Sequence, residues 1–237
     1  MTASPIRIEV YLETGSRRTF AAALEWPGWA RSGRDEAEAL ASLLAHAPRY
    51  AREVSSARLG FRAPSDQRGF VIKERLTGDA TTDFGAPGAV PSIDVQPLPA
   101  DGLKRQLRLL RAAWKAFDRA AEGARGGTLR TGPRGGGRDL AKMILHAYHA
   151  DQAYLSALGW KARALPVDPG AGWPRLRAEV EAALAASARG EIPAIGPRGG
   201  RRWTARTFVR RAAWHALDHA WEIEDRLTPA PARSPMR

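Results

Sequence analysis

The 237-residue chain contains no cysteine. That excludes a disulfide framework, a thiolate nucleophile and any metal site built on sulfur. No apolar run approaches the ~20 residues that a membrane-spanning helix needs. The opening "MTASPIRIEVYLETGS" lacks the apolar centre of an export signal. No membrane partner is expected, and a cytoplasmic location fits these absences. Lysine is scarce as well. Of 37 basic residues, only Lys73, Lys104, Lys115, Lys142 and Lys161 are lysine, and the net charge is +12. The arginines are spread through an alanine-rich chain and not gathered in one motif. The charge therefore reads as compositional bias as much as a polyanion site. Nucleic-acid binding is expected to be weak, non-specific and lost as salt rises.

With 44% hydrophobic residues the chain can bury a core. Its first half reads as α+β, a small β-sheet with one helix. "IRIEVYLE" alternates apolar and polar residues as a half-buried strand does, and "RRTFAAALEWPG" is a second strand ending in a Pro27-Gly28 turn. "GRDEAEALASLLAHAPRYAREV" reads as the helix, with Asp35 as its N-cap. "FVIKERL" and "SIDVQPL" read as later strands. Pro97 and Pro99 mark a boundary near residue 100.

The second half reads as an all-α four-helix bundle. Leu103, Leu107, Leu110, Trp114, Phe117 and Ala121 lie on one face of its first helix. The second helix runs from about Asp139 to Leu158. The third opens with Pro174 just inside its start and stops at Gly190. The fourth runs from about Thr204 to Leu227. The expected division is residues 1–98, residues 101–228 and a disordered tail over 229–237, with two independently folding units. "GPRGGGRDL" precedes the second helix and "GPRGGRRWT" the fourth. Glycine amides and arginine forks suit an anion, so Arg134 and Arg198 are cofactor-binding candidates.

The chemistry sits in the histidines. "AAWHALDHAWEIED" places His215 and His219 about 40° apart on one helix face, with Glu222 on the same stripe. On the second helix, His146 falls at the edge of the apolar face and can lean inward, whereas His149 points away and is expected to be wet. Three inward imidazoles leave a coordination position open, which is the pattern of a catalytic metal site. Imidazole suits zinc, nickel, copper and ferrous iron.

Two resemblances add to this reading. "FAAALEWPGWARSGRDEAEALASLLAHAPRYA" resembles the HicB-like antitoxin domain, which implies a small sheet packed by one helix and RNA or protein partners. Residues 101 to 227 resemble the DinB-like family, a four-helix bundle with a histidine triad. The matching residues are His146, Asp151, Tyr154 and Leu155 in "HAYHADQAYL", and the HxxxH pair His215 and His219. The family usually carries glutamine where this chain has Glu222. The resemblance implies His146, His215 and His219 as metal ligands, with Asp151 and Glu222 as catalytic candidates. Zinc leads as the divalent metal, with nickel or iron as alternatives. It also implies a small-molecule substrate and a small thiol cofactor such as mycothiol or bacillithiol, which suits a chain that has no thiol of its own. Three functions follow: thiol-dependent group transfer, metal-dependent hydrolysis with Glu222 as base, or a non-catalytic stress or regulatory protein. A dimer is compatible with each.

Overall fold

The computed structural model describes residues 6–132 and 137–228. Arg134 and the expected disordered tail lie outside them. The fold is α+β, with a four-stranded sheet near the start and most of the helix in the second half.

Strands β1 (Ile8–Thr14), β2 (Thr19–Ala23) and β3 (Ala30–Gly33) form an antiparallel meander, and β4 (Phe70–Thr77) joins the free edge of β1 in parallel. The order is β3-β2-β1-β4. A parallel pairing needs a crossover, and helices α1 (Glu36–Ala45) and α2 (Ala47–Val54) supply it. Strand β1 is central and covered on both faces. Val10 and Leu12 face Trp29, Leu43 and Tyr50, while Tyr11 faces away from them with Phe20, Ala22 and Trp214.

Asp35 caps α1 through Glu38 N at 2.8 Å, as its sequence suggests. The single helix expected there is two. Pro48 lacks an N–H and would clash with the carbonyl four residues back, so the chain restarts at Ala47 with proline in the first turn of α2. The strand expected at "SIDVQPL" is a 3₁₀ turn, Ser92–Val95. Its Asp94 is fully buried and its neighbours Pro91 and Pro97 offer no N–H to a sheet. A short helix, α3 (Ala80–Phe84), precedes that turn, opened by a capping box at Asp79.

Four long helices follow: α4 (Ala100–Gly123), α5 (Leu140–Leu158), α6 (Pro169–Ala188) and α7 (Ala205–Arg226). Asp139 caps α5 and Thr204 caps α7, each accepting from the backbone N–H three residues on. Helix α6 begins five residues before Pro174, because Asp168 caps it through Ala171 N at 3.1 Å. A two-stranded ribbon, β5 (Thr128–Leu129) with β6 (Leu227–Thr228), ties the end of α7 to the segment after α4. Among the described residues no helix is long and apolar enough to cross a membrane.

The boundary near residue 100 falls where sheet gives way to helix, yet one apolar core continues across it. Helix α7 is packed on one side by helices and on the other by the first half. Trp214 meets Phe20 edge-on at 6.2 Å, and the Arg31 guanidinium lies 4.5 Å from the Trp221 ring while pairing with Asp218 at 2.8 Å. Gly28, at φ +93°, closes this joint. A Cβ there would meet Leu217 at 2.8 Å. A fragment starting at residue 101 would bare Trp214 and Trp221.

Candidate metal centre

Helices α5 and α7 run antiparallel. Trp203 N donates to Ala157 O at one end, and Arg226 Nη2 donates to Arg138 O at the other. His146, near the start of α5, therefore meets His215 and His219 in the second half of α7. The Nε2 atoms of His146 and His215 are 3.1 Å apart, as are those of His215 and His219. One ring nitrogen from each lies within 4.8 Å of the others. His215 and His219 are each 8% exposed and His146 is half-buried. His149, also on α5, is exposed and outside the group.

Burial is the main cause that pushes the imidazolium forms out. It brings His146 down to about 4, with help from His219 and from the positive charge of Arg138. It takes His215 well below its ordinary value, with His219 and His146 adding to the effect. These rings are neutral near pH 7, with lone pairs available to a cation. His219 Nδ1 lies 2.9 Å from Glu222 Oε2. With the ring proton on Nδ1 facing that carboxylate, Nε2 is left bare toward the other two rings. Nitrogens held ~2.0–2.1 Å from a tetrahedral ion sit about 3.3–3.4 Å apart, close to the two spacings of 3.1 Å found here. The residues present therefore fit a divalent ion.

Glu222 is not one of the converging ligands. The bond to His219 holds its carboxyl down at about 2, and Arg226 Nη1 binds the other oxygen at 2.6 Å. Both oxygens are engaged and weakly basic. That suits a residue that orients His219 and disfavours the general-base role expected from sequence. Arg226 itself is buried, with Nε on Arg130 O at 2.7 Å. The sequence reading missed it, although its spacing four after Glu222 and seven after His219 placed it on the same stripe. Glu222→Gln is expected to weaken metal binding about 10–100-fold without abolishing it. Competition titration against a chromophoric chelator measures this, and unchanged affinity would remove Glu222 from the centre.

Asp151 and Arg198 are not brought to the triad. Asp151, five residues along α5 from His146, turns toward α4 and α6. There it lies near Arg177 and the Trp114 indole, outside full hydrogen-bond geometry with the latter. Arg198 is exposed in the turn before α7, beside the end of α5. Among the described residues, Arg138, just before α5, is at the histidine end, whereas the turn before α7 is at the other end of that helix pair. Tyr154 is drawn in, its ring edge-on to His215 at 5.9 Å.

Comparison of the chain with family models, with curated proteins and with solved structures returns no match.

Proposed function

We propose that the chain is a metal-dependent enzyme of the DinB-like kind. In this reading α4–α7 form a four-helix bundle, and the triad holds one divalent ion, zinc before nickel or iron. The reaction is group transfer to or from a small thiol such as mycothiol or bacillithiol, in the cytoplasm where such thiols are kept reduced. The observation that carries the metal reading is the convergence of three imidazole nitrogens with a carboxylate behind one of them. When bound, such an ion supplies Lewis acidity that lowers the pKa of a thiol at its open position.

The chain's own groups do the rest. Glu222 and Arg226 fix the His219 tautomer and orientation. Arg138 brings positive charge to the histidine end, which suits an acidic group on the thiol or substrate. Burial of His215 and His219 keeps water from competing on the helix side of the site. The absence of cysteine means that the thiol comes from outside the protein.

The test supplies metal-loaded protein with an electrophile and a panel of low-molecular-weight thiols. Transfer is expected to require both metal and thiol. If no thiol supports transfer but a simple ester or amide is cleaved, the hydrolase reading replaces it. If neither reaction occurs with metal bound, the regulatory reading stands, with the HicB-like half binding RNA or a protein partner.

A further inference from the structure

A second site lies where the sheet, the segment around α3 and helix α7 meet. It is a cavity of about 160 Å³, and none of the triad histidines lines it. A cavity of ~150 Å³ admits a benzene-sized ring. The walls match such a ring, because Tyr11, Trp29, Trp203 and Trp214 all contribute to them.

The polar groups around it are mostly unspent donors. The Trp214 indole N–H is buried with no hydrogen-bond partner. An indole N–H can only donate, and leaving it unpaired costs about 1–3 kcal/mol. Tyr11 is buried, and its hydroxyl makes no hydrogen bond among the described residues. Burial raises its pKa above the ordinary phenol value, so the proton stays on. Arg211 lies 4.9 Å from the Trp214 ring, engages its Nη1 on Pro87 O and also reaches Tyr154. The acceptors nearby are already taken. Both Asp94 oxygens serve Arg210, and Asp79 caps α3. The Trp29 indole is spent on Leu43 O at 2.9 Å.

The geometry points to a binding site for a small planar molecule of one ring that carries a carbonyl or carboxylate acceptor. Its ring lies among the tryptophans and its oxygen faces Trp214 Nε1, Tyr11 and Arg211. The site is separate from the triad, though Trp214 stands between them with its ring 6.3 Å from that of His215.

The full chain, ¹⁵N-labelled at tryptophan, is titrated with benzoate, benzamide, benzylamine and toluene while the indole N–H signals are followed. Trp214→Phe assigns the Trp214 signal. Benzoate and benzamide are expected to shift that signal, and to bind at least tenfold more tightly than benzylamine and toluene. Tyr11→Phe, which keeps the ring, and Arg211→Lys, which keeps the charge but not the fork, are each expected to weaken benzoate about tenfold. Binding is expected to persist in His146→Ala. The proposal is overturned if the Trp214 signal does not move at millimolar benzoate, if benzylamine or toluene binds as tightly, if neither variant changes affinity, or if His146→Ala removes binding.

Discussion

Arg210→Ala is expected to destabilise the fold by about 3–5 kcal/mol, the cost of leaving a buried partner charge uncompensated. Arg210 sits on α7 and reaches into the first half of the chain. Its Nε and Nη2 hold the two oxygens of fully buried Asp94 at 2.8 and 2.7 Å. Nη1 and Nη2 also satisfy Ala23 O and Leu24 O at the end of β2, at 2.9 and 3.0 Å. Removing the guanidinium orphans a carboxylate and two carbonyls together, away from water. Urea melts should show a large fall in midpoint. Replacing both partners, as Arg210→Met with Asp94→Leu, should recover part of the loss. A midpoint unchanged by Arg210→Ala would mean that the two halves are not joined through this pair. The same pair bears on the expectation of independently folding units, because a fragment beginning at residue 101 contains Arg210 and lacks Asp94.

Asp151→Asn is expected to stabilise the protein at pH 8 relative to pH 4, by on the order of 2–4 kcal/mol. Burial raises the Asp151 carboxyl from its ordinary 3.8 to about 7, with Arg177 opposing the shift. Its folded-state pKa lies above its unfolded value, so the native state holds the extra proton between about pH 4 and 7. The stability this provides is full below about 4 and lost as pH rises through about 7. Asparagine keeps the shape and never ionises. Melts of both proteins across that range, in a chelator so that metal loading does not enter, give the difference. Parallel curves would show that Asp151 is already ionised or hydrated in the folded protein.

Much of the helical half was legible because its signals are local. Helices were expected to start near Asp139 and Thr204 ahead of long periodic stripes, and they do, with those two residues as their caps. The angular placement of His146, His215, His219 and His149 on two helices needed only a regular helix. What sequence did not show depends on chain direction and tertiary choice. Arg138 and Arg198 each precede a histidine-bearing helix, but the two helices are antiparallel, so only Arg138 is at the histidine end. Asp151 has the spacing of the expected motif, but five residues turn a side chain about 140° around a helix, toward α4 and α6. The place of Arg226, one turn on from Glu222 and bonded to its second oxygen, was not drawn from the stripe. "SIDVQPL" has strand-like alternation, and the buried pair of Asp94 with Arg210 overrides it.

The most direct test of the central claim is elemental analysis of the purified chain beside its histidine variants, each first shown to be folded. The account predicts close to one divalent metal per chain in the unaltered protein and in His149→Ala. It predicts stoichiometric metal to be lost in His146→Ala, His215→Ala and His219→Ala. Retention of metal in all three variants, or its loss only in His149→Ala, would contradict the assignment of the centre.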